Sequence, residues 1–124
     1  MTQKLEVYRC KICGNIVEVL HPGKGTLVCC NQPMEKLNEN TVDASVEKHV
    51  PVIEKNEKET LVRVGSIEHP MIESHYIEWI EILEEDEIHI KFLKPNQKPE
   101  YLLSKNVRDA KARAYCNLHG LWKN

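Results

Sequence analysis

The chain has 124 residues, of which 29% are charged and 41% hydrophobic, and its formal net charge is −2. That is the composition of an ordinary soluble globular protein. It carries no basic surplus to meet nucleic acid and no basic amphipathic or membrane-length apolar stretch, so neither nucleic acid nor membrane is expected as a partner.

Met1 to Glu6 lead into no apolar run of signal-peptide length, and a cytoplasmic, reducing setting is expected. Cys10-x-x-Cys13 follows, and sixteen residues further on comes the adjacent pair Cys29-Cys30. Four soft sulfur donors in so short a stretch suit tetrahedral zinc or iron. Disulfide staples are the competing assignment, but thiols persist in a reducing compartment, and five cysteines leave one over in any all-disulfide scheme. Neighbouring cysteines close a tighter chelate ring than the usual second C-x-x-C, so a distorted tetrahedron is expected. The segment up to Met34 is too short to bury a self-sufficient core, and a bound metal must supply much of its folding free energy.

After Met34 the polar run Glu35 to Thr41 bridges to the next apolar stretch. The expected organisation is a metal-bound unit over 1–36, a linker over 37–45 and a second unit over 46–124. In the second unit, Thr60 to Gly65 and Glu87 to Phe92 alternate apolar with polar residues, the period of half-buried strands. Pro51, Pro70, Pro95 and Pro99 punctuate the intervals, and short strands between turn signals favour a small antiparallel sandwich or barrel. From His75 to Glu85, with Ile77, Ile80 and Leu83 apolar, helix and strand fit about equally well.

The remaining chemistry is scattered. His49 precedes Val50-Pro51, His69 precedes Pro70, His75 follows six residues later, and Cys116-Asn117-Leu118-His119 stands near the end. A lone histidine is more often solvated or packed than ligating, and His21 and His89 are assigned that plain role, His89 on the polar face of its strand opposite Ile88, Ile90 and Phe92. Cys116-x-x-His119 differs, because its spacing lets a thiolate and an imidazole meet one ion across a turn.

Taken together, Cys10-x-x-Cys13 with Cys29-Cys30, Glu47-Lys48-His49-Val50-Pro51, His69-Pro70-Met71 with His75, and Cys116-Asn117-Leu118-His119-Gly120 resemble desulfoferrodoxin, the two-iron form of superoxide reductase. The likeness spans nearly the whole chain. It implies a mainly β protein: a small desulforedoxin-like metal-bound domain followed by an immunoglobulin-like β-sandwich, which turns the 75–85 segment to strand. It also implies two irons per chain. Cys10, Cys13, Cys29 and Cys30 match the ligands of a distorted Fe(Cys)₄ centre. His49, His69, His75 and His119 match four equatorial imidazoles of a second iron, with Cys116 as axial thiolate and the sixth position open.

The activity so implied is one-electron reduction of superoxide to hydrogen peroxide without release of dioxygen. Lys48 matches a lysine at the open face that attracts the anion, and Glu47 a glutamate that occupies the sixth position of the ferric ion after product leaves. A small electron donor such as rubredoxin and a homodimer are implied partners, with calcium as a candidate ion at the dimer interface. One departure stands out: where the family commonly has Glu-Tyr-Cys-Asn, this chain has Ala114-Tyr115-Cys116-Asn117, and Ala114 is expected on the Cys116 face of its strand. The alternative class is a rubredoxin-like electron carrier without catalytic activity, in which the clustered histidines would have no task.

Overall fold

The computed structural model of the chain describes residues 1–43 and 48–124. Two compact units emerge, Met1–Asn38 and Glu39–Asn124. Every regular element among the described residues is a β-strand, and no helix is long and apolar enough to cross a membrane.

In the first unit, β1 (Val7–Arg9) lies between β2 (Ile16–Glu18) and β5 (Glu35–Lys36) in an antiparallel sheet. A hairpin of β3 (Val28–Cys29) and β4 (Gln32–Pro33) completes it. The buried apolar side chains are Val7, Cys10 and Val19, a core whose hydrophobic contribution is small for a folded unit. Polar ties add to it: Thr2 donates its amide to the carbonyl of Gly23 at 3.0 Å and accepts from Gly23 N–H at 2.9 Å. Glu6 pairs with Lys36 of β5 at 2.8 Å and accepts from Tyr8 Oη at 2.9 Å and Gln3 N–H at 2.7 Å. The Lys36 ammonium, helped by those donors, holds the Glu6 carboxyl at about 2, far below its ordinary 4.5.

The second unit is a β-sandwich. One sheet has the order β10 (Ile88–Phe92), β9 (Ile77–Leu83), β12 (Lys111–Cys116), β13 (Gly120–Lys123), β6 (Glu39–Asn40), and the other has β11 (Glu100–Leu103), β8 (Thr60–Val64), β7 (Pro51–Lys55). This is the immunoglobulin-like architecture that the resemblance implied, and Ile77–Leu83 is strand. The core is formed by Val62 and Val64 of β8 with Ile77, Ile80 and Ile82 of β9 and Ala112, Ala114 and Cys116 of β12. Period-two alternation on β8 puts Thr60, Val62 and Val64 inward. The buried Thr60 hydroxyl donates to Lys105 O at 2.8 Å and accepts from Val107 N–H at 2.9 Å, so its polar group costs little.

Two expectations need adjustment. Glu39 and Asn40, assigned to a linker, pair in parallel with Leu121 and Trp122 of β13. His89 lies on the inward face of β10, since its antiparallel partner is the buried Ile82, and Lys91 faces Ile80 likewise. The alternation was read with the wrong face inside, because β10 is an edge strand. At such an edge inward-pointing polar groups close the side of a sandwich and discourage further strand pairing. Lys91 reaches Glu100 O across the sandwich at 3.3 Å, whereas Ile90 and Phe92 face outward and are exposed.

On the outer face of this sheet the fully buried carboxylate of Glu81 is gripped by both forks of Arg113, Nε to Oε1 at 3.1 Å and a terminal nitrogen to Oε2 at 3.2 Å. The other terminal nitrogen of Arg113 reaches Glu39 at 3.3 Å, which ties β6 to the sheet.

Candidate metal centres

The turn after Cys10 is shaped for a metal. Gly14 N–H donates to Cys10 O at 3.0 Å, Gly14 takes φ +84°, and Cys13 N–H points at Cys10 Sγ from 3.4 Å. On the facing hairpin, Cys30 and Asn31 form the two-residue connection of β3 to β4, with φ +51° and +62°. Two consecutive positive φ values mark a type I′ turn, which suits hairpin twist but is unfavourable for a residue with a Cβ. The chain therefore accommodates adjacent cysteines by placing Cys30 in the left-handed region. The outcome is that Sγ of Cys29 lies 3.5 Å from that of Cys13 and 3.9 Å from that of Cys30. Sulfurs bound at about 2.3 Å at the corners of a tetrahedron stand about 3.8 Å apart. All four sulfur atoms lie within 4.8 Å of one another and none is in a disulfide, so the set fits one tetrahedral ion.

The thiols also differ in proton affinity. The N–H of Cys13 holds the Cys10 thiol down to about 6, while hydrogen bonds with the sulfurs of Cys13, Cys10 and Cys29 push the Cys30 thiol up to about 12. A metal loaded here must displace the protons that these contacts retain.

In the sandwich unit, four histidines from three loops form a ring. Adjacent imidazoles meet edge to face in the order His49, His69, His75, His119, with centroid separations of 4.5, 4.7 and 5.0 Å, and the ring closes from His119 back to His49 at 5.0 Å. The His49 to His75 diagonal is 6.4 Å. Sides of nearly equal length with a longer diagonal describe a square. One donor atom each from His49, His75, Cys116 and His119 fall within 4.8 Å of one another, and Cys116 Sγ is 3.8 Å from His119 Nδ1. Opposite donors around an ion bound at about 2.1 to 2.3 Å stand about 4.4 Å apart, so the set fits a single ion. His69 Nδ1 lies 2.7 Å from Pro70 O. A carbonyl only accepts, so Nδ1 carries the proton and Nε2 keeps the lone pair a metal needs. His49, His69 and Cys116 are buried and His119 is exposed, so the site opens to solvent on the His119 side.

Two holding residues escaped the sequence reading. Trp122 stacks on His49, centroids 4.6 Å apart and planes 15° apart, and donates its indole N–H to His119 O at 3.1 Å. Asn117 accepts from Tyr76 N–H at 2.9 Å and donates to Ser74 O at 3.1 Å, which fastens the His75 loop to the Cys116–His119 turn. The only available signal for Asn117 was its place inside the C-N-x-H-G block. Trp122 offered none, since its contact with His49 joins positions 73 residues apart.

Two profiles match the chain: the desulfoferrodoxin N-terminal domain over residues 2–37 and desulfoferrodoxin over residues 41–124. The chain is a member of the desulfoferrodoxin family. It is 56% identical to the desulfoferrodoxin of Syntrophotalea carbinolica over 100% of this chain and 98% of that one. With the desulfoferrodoxin of Desulfarculus baarsii it shares 55% identity over 99% and 98%. The superoxide reductase crystal structure from Treponema pallidum superposes over 99% of both chains with a TM-score of 0.79 at 29% identity.

Against the desulfoferrodoxin pattern, Ala114 faces Trp122 and Ile80 across the sheet and is fully buried on the same face as Cys116. Lys48 is half-buried beside the buried His49. Glu47 lies outside the described residues. In a third group, Glu84, Glu87 and His89, the carboxylate of Glu84 is engaged by the chain itself: it lies 2.5 Å from His89 Nε2 and 3.0 Å from Lys105 Nζ, contacts that lower its carboxyl, and Glu84 in turn raises the Lys105 amine.

Proposed function

We propose that this member of the desulfoferrodoxin family is a superoxide reductase with two iron ions, one held by Cys10, Cys13, Cys29 and Cys30 and one by His49, His69, His75, His119 and Cys116. The observation that carries the proposal is the square of four imidazoles next to a buried thiol, a donor set suited to ferrous iron. Five donors leave one position of an octahedral ion for substrate. Ferrous iron bound there would supply the single electron, with the Cys116 thiolate adding electron density.

The rest falls to the chain. Lys48 presents a positive charge beside His49 that draws the superoxide anion in and orders a proton-donating water. Superoxide takes up one electron and two protons and leaves as hydrogen peroxide, with no dioxygen formed. Glu47 is assigned as a carboxylate that would be available to the ion once product has left. Burial of His49, His69 and Cys116 keeps water from one side of the site. A small redox protein of rubredoxin type returns the electron, and the functional unit is a cytoplasmic homodimer.

The test is to quantify iron in the purified chain, reduce it anaerobically and mix it with superoxide. Consumption of superoxide with hydrogen peroxide formed, no dioxygen evolved and about two irons per chain is expected. A single thiolate–iron chromophore with no superoxide consumption would assign an electron carrier instead.

A further inference from the structure

Lys48 can steer an anion only if its main chain is held in place, and two residues contact the segment that carries it. The Asp43 carboxylate oxygen Oδ1 accepts from His49 N–H at 2.6 Å and from Val50 N–H at 2.8 Å, gripping the strand-entry residues directly after Lys48. Charge-assisted bonds of this kind are about twice as strong as neutral ones. On the other side lies Gly65, at the end of β8. A Cβ on Gly65 would sit 2.9 Å from Lys48 O, 3.0 Å from its carbonyl carbon and 3.1 Å from its Cβ. The φ of Gly65 lies outside the left-handed region, so the obstacle to a side chain that the structure shows there is the close approach of Lys48.

We propose that Asp43 and Gly65 are positioning residues for Lys48: the carboxylate pulls the His49–Val50 amides down, and the bare α-carbon of Gly65 lets the Lys48 backbone seat against it. Neither residue touches substrate. Their role rests on Lys48 acting as the anion-attracting group of the proposed reaction. A methyl group at 65 meets backbone instead of the end of a flexible side chain, so Lys48 must move.

The experiment uses the iron-loaded full chain with Gly65→Ala, Asp43→Ala and Asp43→Asn, each alone and combined with Lys48→Ile. Two quantities are read: the second-order rate with superoxide at low and high ionic strength, and hydrogen exchange across residues 43–50 by mass spectrometry. Electrostatic focusing changes association rates by roughly ten- to a thousandfold, so Lys48→Ile is expected to slow the reaction at least about tenfold at low salt. Gly65→Ala should cost roughly threefold of that and weaken the salt dependence, but have no further effect in the Lys48→Ile background. Asp43→Ala should behave alike and speed exchange of the 49 and 50 amides several-fold, while Asp43→Asn, which keeps an acceptor, should restore most of both.

Equal slowing by Gly65→Ala and Asp43→Ala with and without Lys48 would overturn the proposal, because both would then act on the iron site or the fold. An unchanged rate in Lys48→Ile would overturn it as well, while leaving superoxide reduction itself intact. If the unaltered chain consumed no superoxide, the proposed function would fall, and the exchange data would still decide whether the Asp43 grip exists. Should Gly65→Ala fail to fold, the Asp43 pair carries the same comparison.

Discussion

The indole of Trp122 lies flat against the imidazole of His49, 4.6 Å from centroid to centroid, and the same indole donates to the carbonyl of His119 at 3.1 Å. One side chain on β13 thus fixes two members of the histidine square, one by its face and one by its edge. Partners that orient metal ligands typically affect metal affinity about 10- to 100-fold. Trp122→Leu removes both contacts and is expected to weaken iron at the histidine site by about that factor, leaving the four-cysteine iron in place. Trp122→Phe keeps an aromatic face and should fall between. Iron quantified during chelator challenge, with the two chromophores followed separately, checks this; parallel loss of both irons would refute it.

Cys30→Ser removes the sulfur that the positive-φ turn exists to place. The first unit buries few apolar side chains, so loss of its metal should unfold it while the sandwich unit keeps its structure. Circular dichroism and proteolysis should show Met1–Asn38 digested and Glu39–Asn124 protected. A chain that stays resistant throughout would mean that the metal is dispensable for folding.

Glu81 and Arg113 form a buried ion pair, with side-chain exposures of 0% and 4%. Removing one partner of such a pair costs about 3 to 5 kcal/mol, because the other charge is left in a dry site. Glu81→Ala should therefore lower the thermal midpoint of the sandwich unit markedly. A replacement of both residues by apolar ones of similar size is expected to recover much of the loss. A small shift for Glu81→Ala would show that Arg113 finds water in the native fold.

Glu6 is held at about 2 in the folded chain against an ordinary 4.5, chiefly by the hydrogen-bonded Lys36. A depressed carboxyl stabilises the fold above its unfolded value, and that contribution fades as pH falls from about 4.5 toward 2. Glu6→Gln should melt lower than the parent chain at neutral pH, and the gap should close as pH falls through this window. The comparison is made over the part of this window in which both proteins still hold the four-cysteine metal, so that the difference between them isolates Glu6. A gap independent of pH would assign the effect to packing.

Much of this molecule was legible in its sequence because the chemistry is local. Cys10-x-x-Cys13 and Cys29-Cys30 announce a sulfur site wherever the chain folds, and Cys116-x-x-His119 announces a second ligand turn. The inward period of Thr60, Val62 and Val64 was equally open to reading, since strand alternation repeats every two residues. Other features were decided by contacts between distant segments. His89 was set on the wrong face because alternation reveals two faces of a strand without saying which one meets the other sheet, and β10 lies at an edge. The pairing of Glu39–Asn40 with β13 has no local signature either. The histidine square draws on residues from 49 to 119, and Trp122 and Asn117 hold it through stacking and hydrogen bonds. Ligand types and spacings were therefore written in the sequence by itself. Their square arrangement and the groups that brace it were decided only when two sheets packed together, because distances between segments far apart in the chain are set by tertiary packing and not by local propensity.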